Sequence, residues 1–488
     1  MTTPIRIHPE NSKCFEFRGK PLALLTATEH YGAVMNRPFR FERYLDDAAQ
    51  HGMTLTRLFT LFRELQNHCN PYSTCKPESP DYIAPFRRVG PETALDGQPK
   101  HDLDQWNPEF FDRLHRFLTL ASDRGIIVEV VLLSNTYAPE IWNLNPLHGA
   151  NNINNLPVIP WQEYNSLRHK AVVERQRAHV RKIVEETRLY DNIIYEICNE
   201  PGGHAPGLAN SPGRDEVDEW QRVIARTIRE SDGPNPHLIA GHEAFRYDPW
   251  EHGATKSFDA DFPLDIVNMH PLPNLTYQRQ GYDLGVFMSK QLCLRPFRNF
   301  CLDTYAEKKP LNMDEDNIAS QYKGYEGWTI HRKRAWTALL SGAHYDYIDF
   351  SIINYCETGT EASQRCIRSW MGHLSRFFHR FDLAKARPLR DWLHDEPPTI
   401  CASVFGVPND EYAIYLADER ELSDATAGTE LEDISIQFDL PEGAYEVAAY
   451  SPKSGQHSPW WPFTGGHNRQ LRLPTFEHDI VVHIRRAT

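Results

Sequence analysis

Apolar residues along the chain fall into short runs separated by amphipathic stretches, and the two alternate with a regularity that decides the fold class. Eight runs are short, rich in β-branched and aromatic residues and bounded by turn formers: LALLTATEH, MTLTRLF, IIVEVVLL, NIIYEICNE, HLIAGHE, LDIVNMHP, PLNMDED and YDYIDFS. Each predicts a buried strand. Between them lie stretches with apolar residues at helical spacing, among them FRFERYLDDAAQHG, PEFFDRLHRFLTLASDRG, VVERQRAHVRKIVEETRLY, EVDEWQRVIARTIRES and RKRAWTALLSGA. The first two end on a glycine suited to a helix C-terminus. Strands and helices alternating in this number predict an α/β chain folded as a (β/α)8 TIM barrel, entered through a short N-terminal hairpin, with its site at the C-terminal ends of the strands.

The pattern changes near KARPLRDWLHDEPPT. Beyond Pro398 only short alternating segments remain (ICASVFG, EYAIYLAD, DISIQFDL, AYEVAAYS, RQLRLP and DIVVHIRR), joined by turns such as LPEGAY and SPKSGQ. They predict a small antiparallel β-sandwich. Residues 1–390 are therefore assigned to the barrel and 391–488 to the sandwich. Two connections, residues 60 to 106 and 134 to 168, are longer than turns require and rich in Pro, Asn, Tyr and Trp. Long ordered loops of this kind wall a site more often than they space its elements.

The fourth run, YDNIIYEICNEPGG, ends on a carboxylate. Strict alternation places Ile194, Glu196, Cys198 and Glu200 on one face, and Pro201 favours an extended Glu200, because a residue before proline avoids the helical region. Polar residues at the other strand ends converge on the same mouth: Glu29 and His30, Arg57, Asn199, His242 and Glu243, His270, and the triplet Asp314, Glu315 and Asp316. Carboxylates on strands four and seven then face each other. Acetal hydrolysis needs two such groups, one to protonate the leaving oxygen and one to trap or stabilise the oxocarbenium carbon. Of the triplet, Glu315 is favoured because alternation with Leu311 and Met313 sends it inward.

The formal charge of -14, without a long basic block, argues against nucleic acid or an anionic membrane as partner and favours an uncharged substrate. Nine cysteines are few for this length, and none has zinc-site spacing. Reduced thiols are expected, although Cys69 and Cys75 share one loop. The N-terminus has no apolar core of signal-peptide length and no run approaches a membrane span, so cytoplasmic residence is expected.

Asn199-Glu200-Pro201 at the end of strand four and the glutamate of KPLNMDEDN in strand seven resemble clan A glycoside hydrolases, most of all glycoside hydrolase family five. The segments FDLPEGAYEVAAYSPKSGQ and LRLPTFEHDIVVHIRR are similar to the β-sandwich that follows such barrels in apiosidase-like glycosidases, a module named for collagen binding. The resemblance implies a retaining β-glycosidase acting on an oligosaccharide or glycoside. It makes Glu200 the general acid and base, Glu315 the nucleophile, Asn199 the partner of the sugar 2-hydroxyl, His270 a neighbour of the acid, and Arg57 the support of the nucleophile. Arg57 is also placed to satisfy an inward Glu196. His30, His242 and Trp328 are further substrate-binding candidates, and Tyr137, Trp142, Trp161 and Tyr164 offer platforms for sugar rings. No metal or other cofactor is expected. The long loops after strands two and three suggest a pocket and cleavage from a chain end.

Blander roles compete with these. Each histidine can be satisfied by backbone, and Trp142 and Trp161 can simply anchor their loop. Histidines at the ends of strands one, five and six also resemble a metal-dependent amidohydrolase barrel, but strand one offers Thr28-Glu29-His30 where such a site needs two imidazoles. The third reading is a carbohydrate-binding protein on a glycosidase scaffold that has lost turnover.

Overall fold

The computed structural model of the chain describes residues 3–28, 32–61, 81–202, 210–244, 246–247, 250–253, 256–271, 275–277, 280–282, 294–316, 325–420 and 426–487. Eight parallel strands form one sheet that curls into a barrel, and each comes from one of the eight predicted runs. They are β1 (Leu25–Thr28), β2 (Leu55–Phe59), β3 (Ile127–Ser134), β4 (Ile193–Asn199), β5 (Ile239–Gly241), β6 (Ile266–Met269), β7 (Leu311–Asp316) and β8 (His344–Ile348). From β2 to β8 each pairs with its neighbours in sequence, and β8 returns to β1. Between β1 and β2 the ladder gives way to Thr54. Its amide donates to Leu25 O at 2.9 Å, while its hydroxyl accepts from Leu25 N at 2.9 Å and donates to Ala23 O at 2.7 Å.

Among the described residues, seven helices of ten residues or more surround the strands: α1 (Phe41–Gln50), α2 (Pro108–Asp123), α3 (Lys170–Thr187), α4 (Arg214–Ser231), α5 (Leu294–Thr304), α6 (Tyr325–Leu340) and α7 (Ser369–Phe378). Helix α2 shows why they form. The Asn107 side chain accepts the Glu109 amide, Pro108 fills the first turn, and Phe110, Leu114, Phe117, Leu118 and Ala121 make a buried stripe. Each large apolar side chain so buried contributes about 1.5–3 kcal/mol. The N-terminal strands Arg6–Ile7, Phe15–Phe17 and Lys20–Leu22 close the bottom of the barrel. Ile5, Phe15 and Phe17 pack there against Leu24, Leu55, Ile127, Ile194, Ala240 and Ile266. The loop expected over residues 60 to 106 contains an antiparallel hairpin, Phe86–Thr93 with Pro99–Trp106. Gly90-Pro91 and the many charges in these strands hide its period from the sequence.

The C-terminal segment is antiparallel, as expected, and its strands join into one sheet: β9 (Ile400–Val407), β10 (Glu411–Asp418), β11 (Ser435–Ser451), β12 (Trp461–Arg472) and β13 (Asp479–Arg486), with short edges at Arg387–Pro388 and Gln456–His457. Long β11 folds the sheet over. It pairs with β12 through two register shifts and with β13 along its second half. One face encloses a core of Ile414, Phe438, Val447 and Ile484. The other face joins the barrel core through Phe405, Tyr415 and Val481. Trp336 of α6 stacks on Tyr415 at 5.5 Å, and Phe377 of α7 meets Tyr450 at 4.7 Å.

A buried ion pair crosses this junction. Arg332 of α6 donates twice to Asp479, Nε at 2.9 Å and Nη2 at 2.8 Å, and the Tyr415 hydroxyl donates to the same carboxylate at 2.9 Å. Next to it, Lys333 donates to Asp418 O at 2.8 Å, and burial brings its pKa down to about 8. Arg332→Ala would leave Asp479 buried and without its cation. It is expected to lower stability by about 3–5 kcal/mol, read as a shift of the urea midpoint. Arg332→Met, which keeps most of the packing over the Trp370 ring, should lose no less if the charge pairing dominates, and clearly less if packing does.

Candidate active site

Side chains that fill a (β/α)8 barrel are ordinarily layers of branched apolar residues. Here only the bottom layer follows that rule. Above it come Arg57, Glu129, Glu196, Asn268, Asn312, Asp314 and Asp346, each at most 1% exposed. Charges so buried persist only when paired and hydrogen-bonded. Arg57 is the hub: it donates to Glu315 Oε2 at 2.7 Å, Glu196 Oε2 at 2.5 Å and Asn199 Oδ1 at 3.1 Å, and lies 3.5 Å from Asp314 Oδ2. Sequence reasoning anticipated its contacts to Glu196 and Glu315.

One guanidinium cannot balance so many acids, and protons supply the difference. Burial, reinforced by the charges of Asp314 and Glu196, raises the pKa of Glu129 well above the usual range, and a hydrogen bond joins it to Glu196. Burial and the neighbouring Asp314 do the same to Asp346. Asp314 itself is held ionised: burial opposes its charge, but Arg57 and His270 outweigh it. Crowding of acids in this interior thus favours the neutral forms of Glu129 and Asp346. Glu129 was missed as a partner of the site. The signal for Glu129 was present, as a lone acid inside the apolar run IIVEVVLL.

Both carboxylates at the mouth leave regular strand geometry. Glu200 has φ 48° and Glu315 has φ 50°. The expectation that Pro201 keeps Glu200 extended is therefore corrected. A following proline closes the right-handed helical region, and the chain takes the left-handed one instead. Conformations of this kind cost about 1–3 kcal/mol each and persist where surrounding contacts fix them.

The parity argument for strand seven also fails. Leu311 and Met313 belong to the main hydrophobic core, while Asn312 and Asp314 face the interior polar layer. Glu315 reaches the mouth because its left-handed backbone breaks the period, in the same place where the β7–β8 register shifts between Met313 and Asp316. Asp316 then turns outward, accepting from Arg334 Nε at 2.5 Å and Tyr345 Oη at 2.9 Å. Three consecutive acids thus serve three directions.

His270 joins the two arms. Its Nδ1 is 3.0 Å from Glu200 Oε1, and its Nε2 is 3.3 Å from Asp314 Oδ2 and 3.6 Å from Glu315 Oε2. Burial works against charge on the ring, yet the carboxylates of Glu315, Asp314 and Glu200 hold it protonated, its pKa well above the ordinary histidine range. Nδ1 hydrogen-bonds Glu200, while Nε2 faces Asp314 and Glu315 at ion-pair distance. One side-chain atom from each of Glu200, His270 and Glu315 lies within 4.8 Å of the other two. Asn199, fixed by Arg57, donates from Nδ2 to the Tyr137 hydroxyl at 2.6 Å.

Other expected site residues are placed differently. His242 is buried, its Nδ1 2.7 Å from Glu243 O and its ring edge-on to His270 at 5.6 Å. Burial, then the charged His270 beside it, brings its pKa down to about 3, so it packs as a neutral ring. Trp328 lies in the first turn of α6, only 6% exposed and within the main core, so it offers no open face to a sugar. Trp142 and Tyr164 are also buried, 5.0 Å apart, and Trp142 Nε1 donates to Ile159 O, which makes them anchors of the long loop. Tyr137 and Trp161 are half-buried. His30, Glu29, Cys69 and Cys75 lie outside the described residues.

Among the described residues, two groups have donor atoms close enough for a metal ion: Glu200 with His270 and Glu315, and Glu129 with Glu196 and Asp314. In the first, His270 Nδ1 is already engaged with Glu200 Oε1 at 3.0 Å. In the second, Arg57 already supplies the cation. The donor chemistry fits two organic cations between acids better than a metal.

Compared with known proteins, residues 19–332 match the family model described as cellulase, glycosyl hydrolase family 5. No curated protein matches the sequence. Among solved structures, a protein described as a glycoside hydrolase superposes over 99% of this chain and 97% of its own, at TM-score 0.63 and 12% identity. A glycoside hydrolase family 5 protein from Bacteroides vulgatus ATCC 8482 superposes over 99% of this chain and 93% of its own, at TM-score 0.63 and 13% identity. At such identities the superpositions establish the shared fold, barrel and C-terminal sheet together.

Proposed function

The chain belongs to glycosyl hydrolase family 5, and we propose that it is a retaining β-glycosidase in which Glu200 is the general acid and base and Glu315 the nucleophile. One observation carries this reading: oxygens of Glu200 and Glu315 lie within 4.8 Å of each other. Carboxyl groups roughly 5–5.5 Å apart suit direct attack on the anomeric carbon, whereas inverting enzymes need roughly 6.5–9.5 Å to admit water between them. Arg57 and His270 flank Glu315 as the two cations a nucleophile needs to stay ionised in a buried setting.

The reaction then runs in two displacements. A Glu315 oxygen attacks the anomeric carbon while the bond to the leaving oxygen breaks and Glu200 delivers its proton there. In the second step a water oxygen attacks the same carbon, the ester bond returns its electrons to Glu315, and the water proton passes to Glu200. Asn199 and Tyr137 sit beside Arg57 where the sugar 2-hydroxyl would be read. The substrate is a carbohydrate, and the long loops favour a pocket acting on short oligosaccharides.

A panel of aryl α- and β-glycosides, followed by proton NMR from the first turnover, tests the proposal. One β-glycoside is expected to react and to release the β-anomer first, with the α-anomer appearing only by mutarotation. First appearance of the α-anomer would replace the covalent route by inversion, and turnover of α-glycosides alone would discard the β assignment.

A further inference from the structure

Asp314 has no place in the two displacements above, yet it touches both cations of the site. Its Oδ2 lies 3.3 Å from His270 Nε2 and 3.5 Å from Arg57 Nη2. Asn312 donates to its Oδ1 at 3.3 Å, and its charge helps keep the neighbouring Asp346 neutral. It is fully buried.

The nucleophile changes charge during the reaction, and the neighbours must absorb that change. In the free enzyme His270 faces Glu200 through Nδ1, and Asp314 and Glu315 through Nε2, with the neutral His242 ring against its face. Once Glu315 is a glycosyl ester its charge is gone. Arg57 keeps Glu196 with its protonated partner Glu129. For His270 Nε2, Asp314 is the carboxylate that remains.

We propose that Asp314 is a positioning residue for the second displacement: it keeps His270 an imidazolium donating to Glu200 while Glu315 is esterified. This rests on the roles proposed for Glu200 and Glu315. In that step Glu200 must be a carboxylate ready to take the water proton, and a charged donor at its Oε1 favours that form. Without the charge of Asp314, esterification of Glu315 would leave the ring with too little negative charge to keep its proton in a buried site. Glu200 would lose its charged donor at the moment it serves as base. In the first displacement Glu315 still carries its own charge, so the loss there is smaller.

The test compares wild type, Asp314→Asn and Glu315→Ala on the aryl β-glycoside with the best leaving group that the wild type accepts. Asp314→Asn is expected to release one equivalent of aryl alcohol in a burst and then turn over about 10–100-fold more slowly. KM should fall in parallel, leaving kcat/KM within a few fold of wild type. Azide, which attacks without a base, is expected to restore turnover as the β-glycosyl azide, and the acid limb of kcat should move up by about one pH unit or more. Equal losses in kcat and kcat/KM, with no burst and an unmoved limb, would reduce Asp314 to a structural residue.

Glu315→Ala separates the two ideas. If azide does not rescue it as the α-glycosyl azide, the underlying assignment has failed; if azide does while Asp314→Asn shows no burst, only the inference about Asp314 has. A measurement on the wild type keeps the question open to refutation should Asp314→Asn not fold. The enzyme, labelled with 15N-histidine and trapped as its 2-deoxy-2-fluoroglycosyl ester, is expected to keep both His270 nitrogens protonated at neutral pH, the resonances being identified by their loss in His270→Gln. A neutral ring in the trapped enzyme would overturn the proposal.

Discussion

Glu315→Ala is expected to abolish turnover of every aryl β-glycoside the wild type accepts, by a factor on the order of 10^4 or more, the scale on which removal of one member of a catalytic constellation acts. Leaving-group quality should make no difference, because the missing step is attack on carbon rather than proton transfer. The truncation opens space beside Arg57, whose guanidinium keeps Glu196, Asn199 and Asp314 as partners and stays in place. A small anion can enter that space, and azide is expected to recover activity with formation of the α-glycosyl azide. The neighbouring acids make the measurement decisive. Asp316 is turned outward against Arg334, and Asp314 lies deeper, bound to Arg57 and His270, so neither can replace the lost carboxylate at the mouth. Substantial activity in Glu315→Ala without azide would move the nucleophile to one of them.

Much of the architecture was legible because it rests on periodicity. Runs such as IIVEVVLL and NIIYEICNE are buried on both faces, one against the polar interior and one against helices, and a buried parallel strand reads as a near-continuous apolar stretch. The mouth of the site was legible for a similar reason: Glu200, His270 and Arg57 sit on strands whose ends could be read. What alternation could not supply was the backbone at those ends. A single left-handed residue at Glu315 inverts the facing of the whole triplet, so the sequence argument reached the right side chain through the wrong parity.

The acid-rich interior was hidden for a different reason. Protonation is set by the crowding of acids from separate strands: Glu129 of β3 meets Glu196 of β4, and Asp346 of β8 meets Asp314 of β7. No one segment shows that its acid meets another. The same holds for Trp328, which looks like a platform from its place after strand seven and becomes core once α6 is seen to carry it inward. The C-terminal sheet illustrates the converse. Its alternation was plain, but only the fold shows that Arg332 and Trp336 of the barrel are buried beneath it, which makes the sheet part of the barrel's own stability.

Glu200→Ala should separate the two halves of the reaction. With a dinitrophenyl leaving group, which departs without help, kcat/KM is expected to stay within about tenfold of wild type, whereas poor leaving groups should lose about 10^2–10^4-fold, the usual worth of a positioned proton donor. The reason is local: Glu200 reaches the mouth on a left-handed residue and is held there by His270 Nδ1, and no other carboxylate among the described residues is held beside that nitrogen. The second displacement loses its base at the same time, so the covalent intermediate should accumulate even with the activated substrate, giving a burst and a lowered KM. Azide should then raise kcat and yield the β-glycosyl azide, opposite in configuration to the product of Glu315→Ala. The pair of products is the strongest reading available, since the α-azide requires a missing nucleophile and the β-azide a missing base. If Glu200→Ala instead loses the same factor for good and poor leaving groups, the proton comes from elsewhere and Glu200 only shapes the site.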